Sequence, residues 1–324
     1  MSTLYITTQG SSIYKYSGQF VVQKGKEILQ NVPETHVKQM ILVGNINLST
    51  PAISFCLENQ IEVVFLSQGG KFKGRLNGFL GRNAETRRRQ YELTKDGNFC
   101  LRQIRAIVAG KIQNQMATCI RQNDILAADR LKNFIRKAET ANSPQSLLGI
   151  EGSASVLYFK LFRNWIPKPW TFNNRTSNPP KDEVNALLSL SYTLIYNRLE
   201  TNLTIAGLDA YQGFFHQTRN GHAALASDLT EEFRSVFADA LVLKLIRRNQ
   251  LKLTDFEKTN GDFRLTKEGS KVFFGEFEQK MASKRKVSAM AESLSYSEIM
   301  KRQVYHLVNV INGAEAVYKP FCLK

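Results

Sequence analysis

The spacing of apolar residues changes character once along this chain, and that change limits the folds open to it. Up to about Leu80, apolar residues come in short β-branched or aromatic runs. These are Tyr5-Ile6-Thr7-Thr8, Phe20-Val21-Val22, Gln39-Met40-Ile41-Leu42-Val43 and Ile61-Glu62-Val63-Val64-Phe65-Leu66. Between them lie Gln9-Gly10-Ser11-Ser12, Ser17-Gly18, Gly44-Asn45 and Gln68-Gly69-Gly70, which predicts strands joined by turns. One helix signal interrupts, Thr50-Pro51-Ala52-Ile53-Ser54-Phe55-Cys56-Leu57, with Thr50 as cap and Pro51 at the first position. From about Gln90 the period becomes helical. Ile104, Ile107, Val108, Ile112 and Met116 share one face, as do Val184, Leu187, Leu188, Ser191, Leu194, Ile195 and Leu199. Phe233, Val236, Phe237, Ala240 and Leu241 repeat the pattern. The expected fold class is α+β: a small N-terminal β domain over residues 1–85, then a larger all-α domain over residues 86–324.

The 324 residues suffice for two domains. Lys and Arg number 44 against 28 Asp and Glu, a formal net charge of +16. Such an excess repels itself and points to an anionic partner, with nucleic acid ahead of an anionic membrane surface. No apolar run approaches the ~20 residues of a membrane-spanning helix, and Met-Ser-Thr-Leu-Tyr does not open a signal peptide. Cys56, Cys100, Cys119 and Cys322 are scattered without zinc-ligand spacing, as reduced thiols of a cytoplasmic protein would be. Lys71, Lys73, Arg75, Arg82, Arg87, Arg88 and Arg89 crowd the expected junction, with Glu85 as the single acid. That seam reads equally as a solvated linker or as a phosphate-contacting surface.

Four residues of the helical half carry chemistry: Glu151, His216, Asp228 and Glu231. Asp228 and Glu231 are three apart, so one helix face holds both, and like charges there repel. The positive end of a helix start relieves such a pair, and spacing alone favours that explanation; a bound cation relieves it too. His216 follows Gly213-Phe214-Phe215 in a loop running toward the acidic segment, where imidazoles either pack or ligate. His222, in Asn220-Gly221-His222, reads as an exposed turn residue. Glu151, in Gly149-Ile150-Glu151-Gly152, is out of place as surface decoration, and its small neighbours permit close approach. Carboxylates with one imidazole suit Mn²⁺ or Mg²⁺ better than zinc. A cation so held activates an oxygen nucleophile and stabilises charge on a phosphoryl centre. No phosphate-cradling glycine loop is present, so a nucleotide triphosphate is not implied.

The same segments resemble the CRISPR-associated integrase of spacer acquisition, the Cas one family. The resemblance runs through Gly149-Ile150-Glu151-Gly152, Asn178-Pro179-Pro180-Lys181-Asp182-Glu183-Val184-Asn185-Ala186-Leu187-Leu188-Ser189, and Gly207-Leu208-Asp209-Ala210-Tyr211-Gln212-Gly213-Phe214-Phe215-His216. It continues in Leu225-Ala226-Ser227-Asp228-Leu229-Thr230-Glu231-Glu232-Phe233-Arg234. Leu4-Tyr5-Ile6-Thr7-Thr8-Gln9-Gly10, Phe65-Leu66-Ser67 and Leu265-Thr266-Lys267-Glu268-Gly269 extend it over almost the whole chain, in order. Ala210, Ser227 and Ser235 depart from residues common in the family.

The resemblance implies an N-terminal β domain and a helical catalytic domain. It implies metal ligation by Glu151, His216 and Glu231, with Asp228 a supporting catalytic carboxylate and Asn185 and Ser189 orienting. It implies a homodimer joined to a small Cas two protein, acting on double-stranded and branched DNA at the CRISPR repeat. The activity implied is endonuclease and integrase, inserting short DNA segments by attack of a 3′-hydroxyl on a phosphodiester. Water or Asp228 is the expected proton acceptor, since a ligating His216 is not also a free base. Arg175, Arg248, Lys284 and Arg285 are the candidate DNA contacts. The rival expectation is a non-catalytic basic scaffold for nucleic acid, which the charge explains equally well and which predicts no bound metal.

Overall fold

A computed structural model describes residues 2–68, 70, 72–76, 83–177, 179–259, 262–286 and 293–323. Lys71 and Arg82 of the charged seam, Gly69 and Asn178 lie outside the described residues. The architecture is α+β, with strands first and mostly helices after. Two compact units form, and neither is contiguous. One comprises Met1–Leu80, Ser177–Thr193 and Leu251–Glu278; the other comprises Gly81–Thr176, Leu194–Gln250 and Gln279–Lys324. No single cut in the sequence reproduces this division.

The first unit begins with β1 (Ser2–Ile6), β2 (Ser11–Tyr16), β3 (Gln19–Lys24), β4 (Glu27–Pro33), β5 (Val37–Val43), β6 (Ile46–Leu48), α1 (Thr50–Glu58), β7 (Glu62–Leu66) and β8 (Phe72–Leu76). One sheet runs β1-β5-β7-β8, its first three strands parallel and β8 antiparallel; the other runs β4-β3-β2-β6. Alternate residues, Leu4 and Ile6, Phe20 and Val22, Met40 and Leu42, point into one core with Ile13, Ala52 and Cys56. Period-two burial of this kind fixes strand register, because a one-residue slip would expose every apolar side chain. The expected helix at residue 50 is present, but its cap is Ser49 and Thr50 is already helical. Arg75 of the charged seam pairs with the buried Glu62 at 3.1 Å.

Helices dominate the remainder: α2 (Ala84–Leu93), α3 (Gly97–Arg121), α4 (Ile125–Thr140), α5 (Pro144–Trp165), α6 (Glu183–Ile205), α7 (Ala224–Thr230), α8 (Ala240–Arg247), α9 (Lys267–Ala282) and α10 (Tyr296–Ile311). Short strand pairs accompany them, β9 (Phe256–Thr259) with β10 (Asp262–Leu265), and β11 (Lys284–Lys286) with β12 (Ser293–Ser295). Side-chain caps start the long helices: Asp96 accepts from the Asn98 and Phe99 amides, and Ser143 from the Ser146 amide ahead of Pro144. Ile104, Ile107, Val108 and Ile112 of α3 are buried as their spacing predicts. In α2, Arg88 and Arg89 both pair with Glu85, so part of the seam's charge is met within one helix. All four cysteines are free thiols, and burial pushes Cys119 up to about 12. No helix among the described residues is long and apolar enough to cross a membrane.

Candidate metal centre

Four elements of the second unit converge on a cleft of about 770 Å³: α3, α5, the loop after Gly213, and the segment from α7 to α8. Glu151, His216 and Glu231 line it, together with Lys111, Arg234 and His222.

The acidic segment departs from the helix-start expectation. α7 begins at Ala224, so Asp228 and Glu231 lie a full turn or more beyond the positive helix end. Asp228 is fully buried and Glu231 nearly so, which removes solvent as the relief for their charge. After Thr230 the helix loosens into a turn and then a π-helical stretch, Arg234–Asp239. The Ala238 amide reaches back five residues to the Phe233 carbonyl at 3.4 Å. Widened turns of this kind recur at functional sites because they re-aim side chains that a regular helix would stack.

Asp228 binds the histidine loop. Its Oδ2 accepts from the amides of Phe214 at 2.7 Å and Phe215 at 3.1 Å. Its Oδ1 accepts from the His216 amide at 2.9 Å and faces His216 Nδ1 at 2.7 Å. Four donors fill a carboxylate's acceptor capacity. The arrangement revises the role expected of Asp228: it has no free lone pair for a cation or a substrate proton, and it positions His216 instead. An ionised carboxylate only accepts, so in the neutral ring the imidazole proton sits on Nδ1 and Nε2 carries the lone pair. Burial disfavours the charged ring, but the bond to Asp228 and the charge of Glu231 outweigh it and hold the pKa above the ordinary value. Gly213 permits this seating, since a Cβ there would meet Ala224 at 2.8 Å and Asp228 Oδ2 at 3.0 Å.

Glu151 and Glu231 share one cation, the ammonium of Lys111. It contacts Glu151 Oε1 directly and stands 2.7 Å from Glu231 Oε2. Ser155 donates to Glu151 Oε1 at 2.9 Å, and Arg234 pairs with Glu231 Oε1 at 3.0 Å. His216 Nε2 lies 3.8 Å from the same Glu231 oxygen. Burial opposes ionisation of Glu231, yet Arg234, Lys111 and His216 hold its pKa down to about 2. Among the described residues, buried Glu231 Oε2 takes no well-directed hydrogen bond despite the nearby ammonium. Among the described residues no three His, Cys, Asp or Glu side chains close on a single point as metal ligands; Lys111 lies between the carboxylates instead.

Sequence reasoning missed Lys111, although its signal was present. It falls at the i+7 position of the apolar face Ile104, Ile107, Val108, where a buried lysine requires acidic partners. His222 is not the exposed turn residue expected. It lines the same cleft, its ring 6.0 Å from that of Tyr196 and its Nε2 3.0 Å from Ser227 Oγ. Asn185 is buried at the start of α6 and bonds Asp182; it and Ser189 belong to the first unit. Arg248 and Lys284 are exposed, Arg285 is half-buried, and Arg175 turns to the Thr176 carbonyl.

Behind Glu231, its neighbour Glu232 is buried against the C-terminal segment. It accepts from Tyr318 Oη, from Gln303 at 3.0 Å and from the Phe321 amide at 2.8 Å. Burial drives its pKa up to about 7 against those donors. Asn114 of α3 ties both strands of this strap, donating to the carbonyls of Glu232 and Phe321.

The family model described as CRISPR associated protein Cas1 matches residues 4–279. The chain belongs to the Cas1 family. It is 32% identical over 326 residues to CRISPR-associated endonuclease Cas1 3 of Thermus thermophilus, covering 100% of this chain and 98% of that protein. Among solved structures, a Cas1 protein from Thermotoga maritima superposes with a TM-score of 0.86 at 22% identity, covering 98% of this chain and 99% of that one. A chain of a Cas6-RT-Cas1–Cas2 complex gives a TM-score of 0.85 at 25% identity; it covers 99% of this chain, which spans 36% of that one. The Cas1 architecture is therefore shared at full length.

Proposed function

We propose that this CRISPR-adaptation endonuclease and integrase works through one divalent-cation centre built by Glu151, His216 and Glu231. The observation that carries the reading is the shared ammonium: a carboxylate of α5 and one of the turn after α7 are held close by a cation, and the Nε2 of the imidazole faces the second of them. Hard oxygens with a single imidazole fit Mn²⁺ or Mg²⁺. Bound there, such an ion supplies Lewis-acid polarisation of a phosphodiester and ionises the attacking hydroxyl.

The chain's own residues do the rest. Asp228 fixes the His216 tautomer and, through three backbone amides, the loop that carries it. Arg234 screens Glu231 and lines the cleft, where its guanidinium meets a phosphate entering it. Lys111, once relieved of the carboxylates, remains in the cleft as a charge-matching partner for the phosphoryl oxygens. Asp228 is saturated, so the proton of the attacking 3′-hydroxyl leaves through solvent in this open cleft. Attack by a DNA 3′-hydroxyl exchanges one phosphodiester for another, a nearly isoenergetic step that uses no nucleotide triphosphate. Attack by water gives hydrolysis at the same centre.

The substrate is double-stranded and branched DNA at the CRISPR repeat, and the working assembly is a homodimer with the small Cas2 protein. The likeness to a chain of a complex containing Cas2 supports the partner, and the net charge of +16 supports the polyanion. A strand-joining assay with labelled DNA ends, with and without Mn²⁺, tests the reading. Joining requires the metal and disappears in Glu151→Ala and His216→Ala, while DNA affinity stays within about threefold. Full joining by either variant would falsify the assignment of the centre.

A further inference from the structure

The covered face of α2 is polar. Of its 10 residues, Thr86 and Gln90 are the buried ones, one turn apart on the same side, and the others are half-buried or exposed. Polar side chains buried where a helix ordinarily packs apolar ones cost stability unless each makes its hydrogen bonds. What Gln90 bonds is the backbone of the loop that carries His216.

The primary amide of fully buried Gln90 stands in for a partner strand. Its Nε2 donates to the carbonyls of Asp209 at 2.8 Å and Gln212 at 2.9 Å, and its Oε1 accepts from the Asp209 amide at 2.9 Å. Residues 206–216 form neither helix nor paired strand, so their backbone groups need partners of this kind. The neighbouring Tyr91 hydroxyl donates to Asp209 Oδ2, while Asp209 Oδ1 accepts from the Tyr211 amide at 2.8 Å. The other buried residue of the face bonds elsewhere. Thr86 Oγ1 accepts from Asn312 Nδ2 at 3.2 Å, at the end of α10.

This clamp stops one residue short of the segment that Asp228 holds. Gln212 is followed by Gly213, and the next three amides, of Phe214, Phe215 and His216, all donate to Asp228. Gly213 gives no slack, since Ala224 Cβ lies 2.8 Å from the place its own Cβ would take. Two buried side chains from two helices therefore hold the loop, Gln90 of α2 at its entry and Asp228 of α7 at its exit. Metal–ligand distances hold to within about 0.2 Å, so a small shift of the entry reaches the centre.

We propose that Gln90 is a positioning residue of the metal centre: across Gly213, its amide sets where His216 Nε2 meets the cleft. Gln90 acts only through the loop, from a buried position on a helix that supplies no ligand. The proposal rests on His216 as a ligand, and its test separates the two.

Gln90→Met keeps the side-chain length and removes the three bonds to the loop. Its Kd for Mn²⁺ rises roughly 5- to 50-fold, while KM for DNA stays within about twofold and excess Mn²⁺ restores strand joining. Thr86→Val is the control: it removes a buried hydrogen bond from the same helix face and leaves Mn²⁺ affinity as in wild type. Unchanged Mn²⁺ affinity in folded Gln90→Met, or an equal loss in Thr86→Val, overturns the proposal. The chain has 4 histidines, so labelling histidine with ¹⁵N resolves the His216 ring in the metal-free protein. Its signal moves in Gln90→Met and not in Thr86→Val; coincident signals overturn the proposal. Hydrogen exchange on the wild-type protein needs no variant. Because coupling between clamp and metal is reciprocal, Mn²⁺ slows exchange of the Asp209 amide, and an unaffected rate overturns the proposal. A wild-type chain that binds no Mn²⁺, or His216→Ala with wild-type Mn²⁺ affinity, removes the reading of the centre and the proposal with it.

Discussion

His216 Nδ1 and Asp228 Oδ1 stand 2.7 Å apart, and that hydrogen bond decides which ring nitrogen faces the cleft. The same carboxylate accepts three consecutive backbone amides, so ring tautomer and loop path are set by one buried group. Asp228→Asn brings amide hydrogens against N–H donors and strands at least one of them. We expect a loss of about 2–4 kcal/mol in stability and about 10- to 100-fold in Mn²⁺ affinity. Thermal unfolding and metal titration check the two effects; wild-type metal affinity in the variant would remove the positioning role.

Lys111 occupies the space between Glu151 and Glu231. Lys111→Met leaves half-buried Glu151 and buried Glu231 facing each other without the ammonium between them, with Arg234 as the remaining cation on Glu231, which destabilises the metal-free protein by about 2–3 kcal/mol. Added Mn²⁺ then restores more stability in the variant than it adds to wild type, because no ammonium has to be displaced. Unfolding midpoints measured with and without Mn²⁺ give the comparison. Equal metal-induced shifts in the two proteins mean that Lys111 does not compete for the site.

Gly213 has no room for a side chain. The added methyl of Gly213→Ala meets Ala224 and Asp228 at 2.8–3.0 Å and pushes the His216 loop off α7. The expected cost is about 1–3 kcal/mol with a parallel loss of strand joining. A variant that keeps full joining shows that the loop tolerates displacement.

Lys280 gives the stability a specific pH dependence. Its folded-state pKa is depressed from 10.5 to about 7, chiefly by burial, so the unfolded chain holds more protons between those values. The contribution of this group is present at high pH and is lost as pH falls through 7. Lys280 retains some exposure, so we expect a change on the order of 1–2 kcal/mol between pH 7 and 10. Denaturant unfolding of wild type and Lys280→Met across that range measures it, and parallel curves count against the depressed pKa.

Much of the fold is legible in the sequence where burial is periodic. The runs at 20–22, 39–43 and 62–66 lie in strands because their apolar residues fill a core, and the face shared by Ile104, Ile107 and Ile112 lies on a long helix. Ser11–Tyr16 is hidden because Gly10-Ser11-Ser12 carries turn chemistry, although Ile13 is fully buried. Glu27–Pro33 is an edge strand with almost every side chain exposed, so no hydrophobic pattern marks it. The return of residues 177–193 and 251–278 to the first unit depends on tertiary packing that local spacing does not encode. At the site, Glu151, His216 and Glu231 are identified by resemblance and gathered in one cleft. The saturation of Asp228 and the bridging ammonium are properties of geometry, and no spacing rule reports them.

The strap behind the acidic centre sets an order of events. Glu232 gains its partners from Tyr318 and Phe321, and Asn114 joins that turn to residues as late as Leu323. The turn bearing Glu231 therefore closes fully only when residues 318–323 pack against it. The acidic centre stays unfinished until that segment is in place.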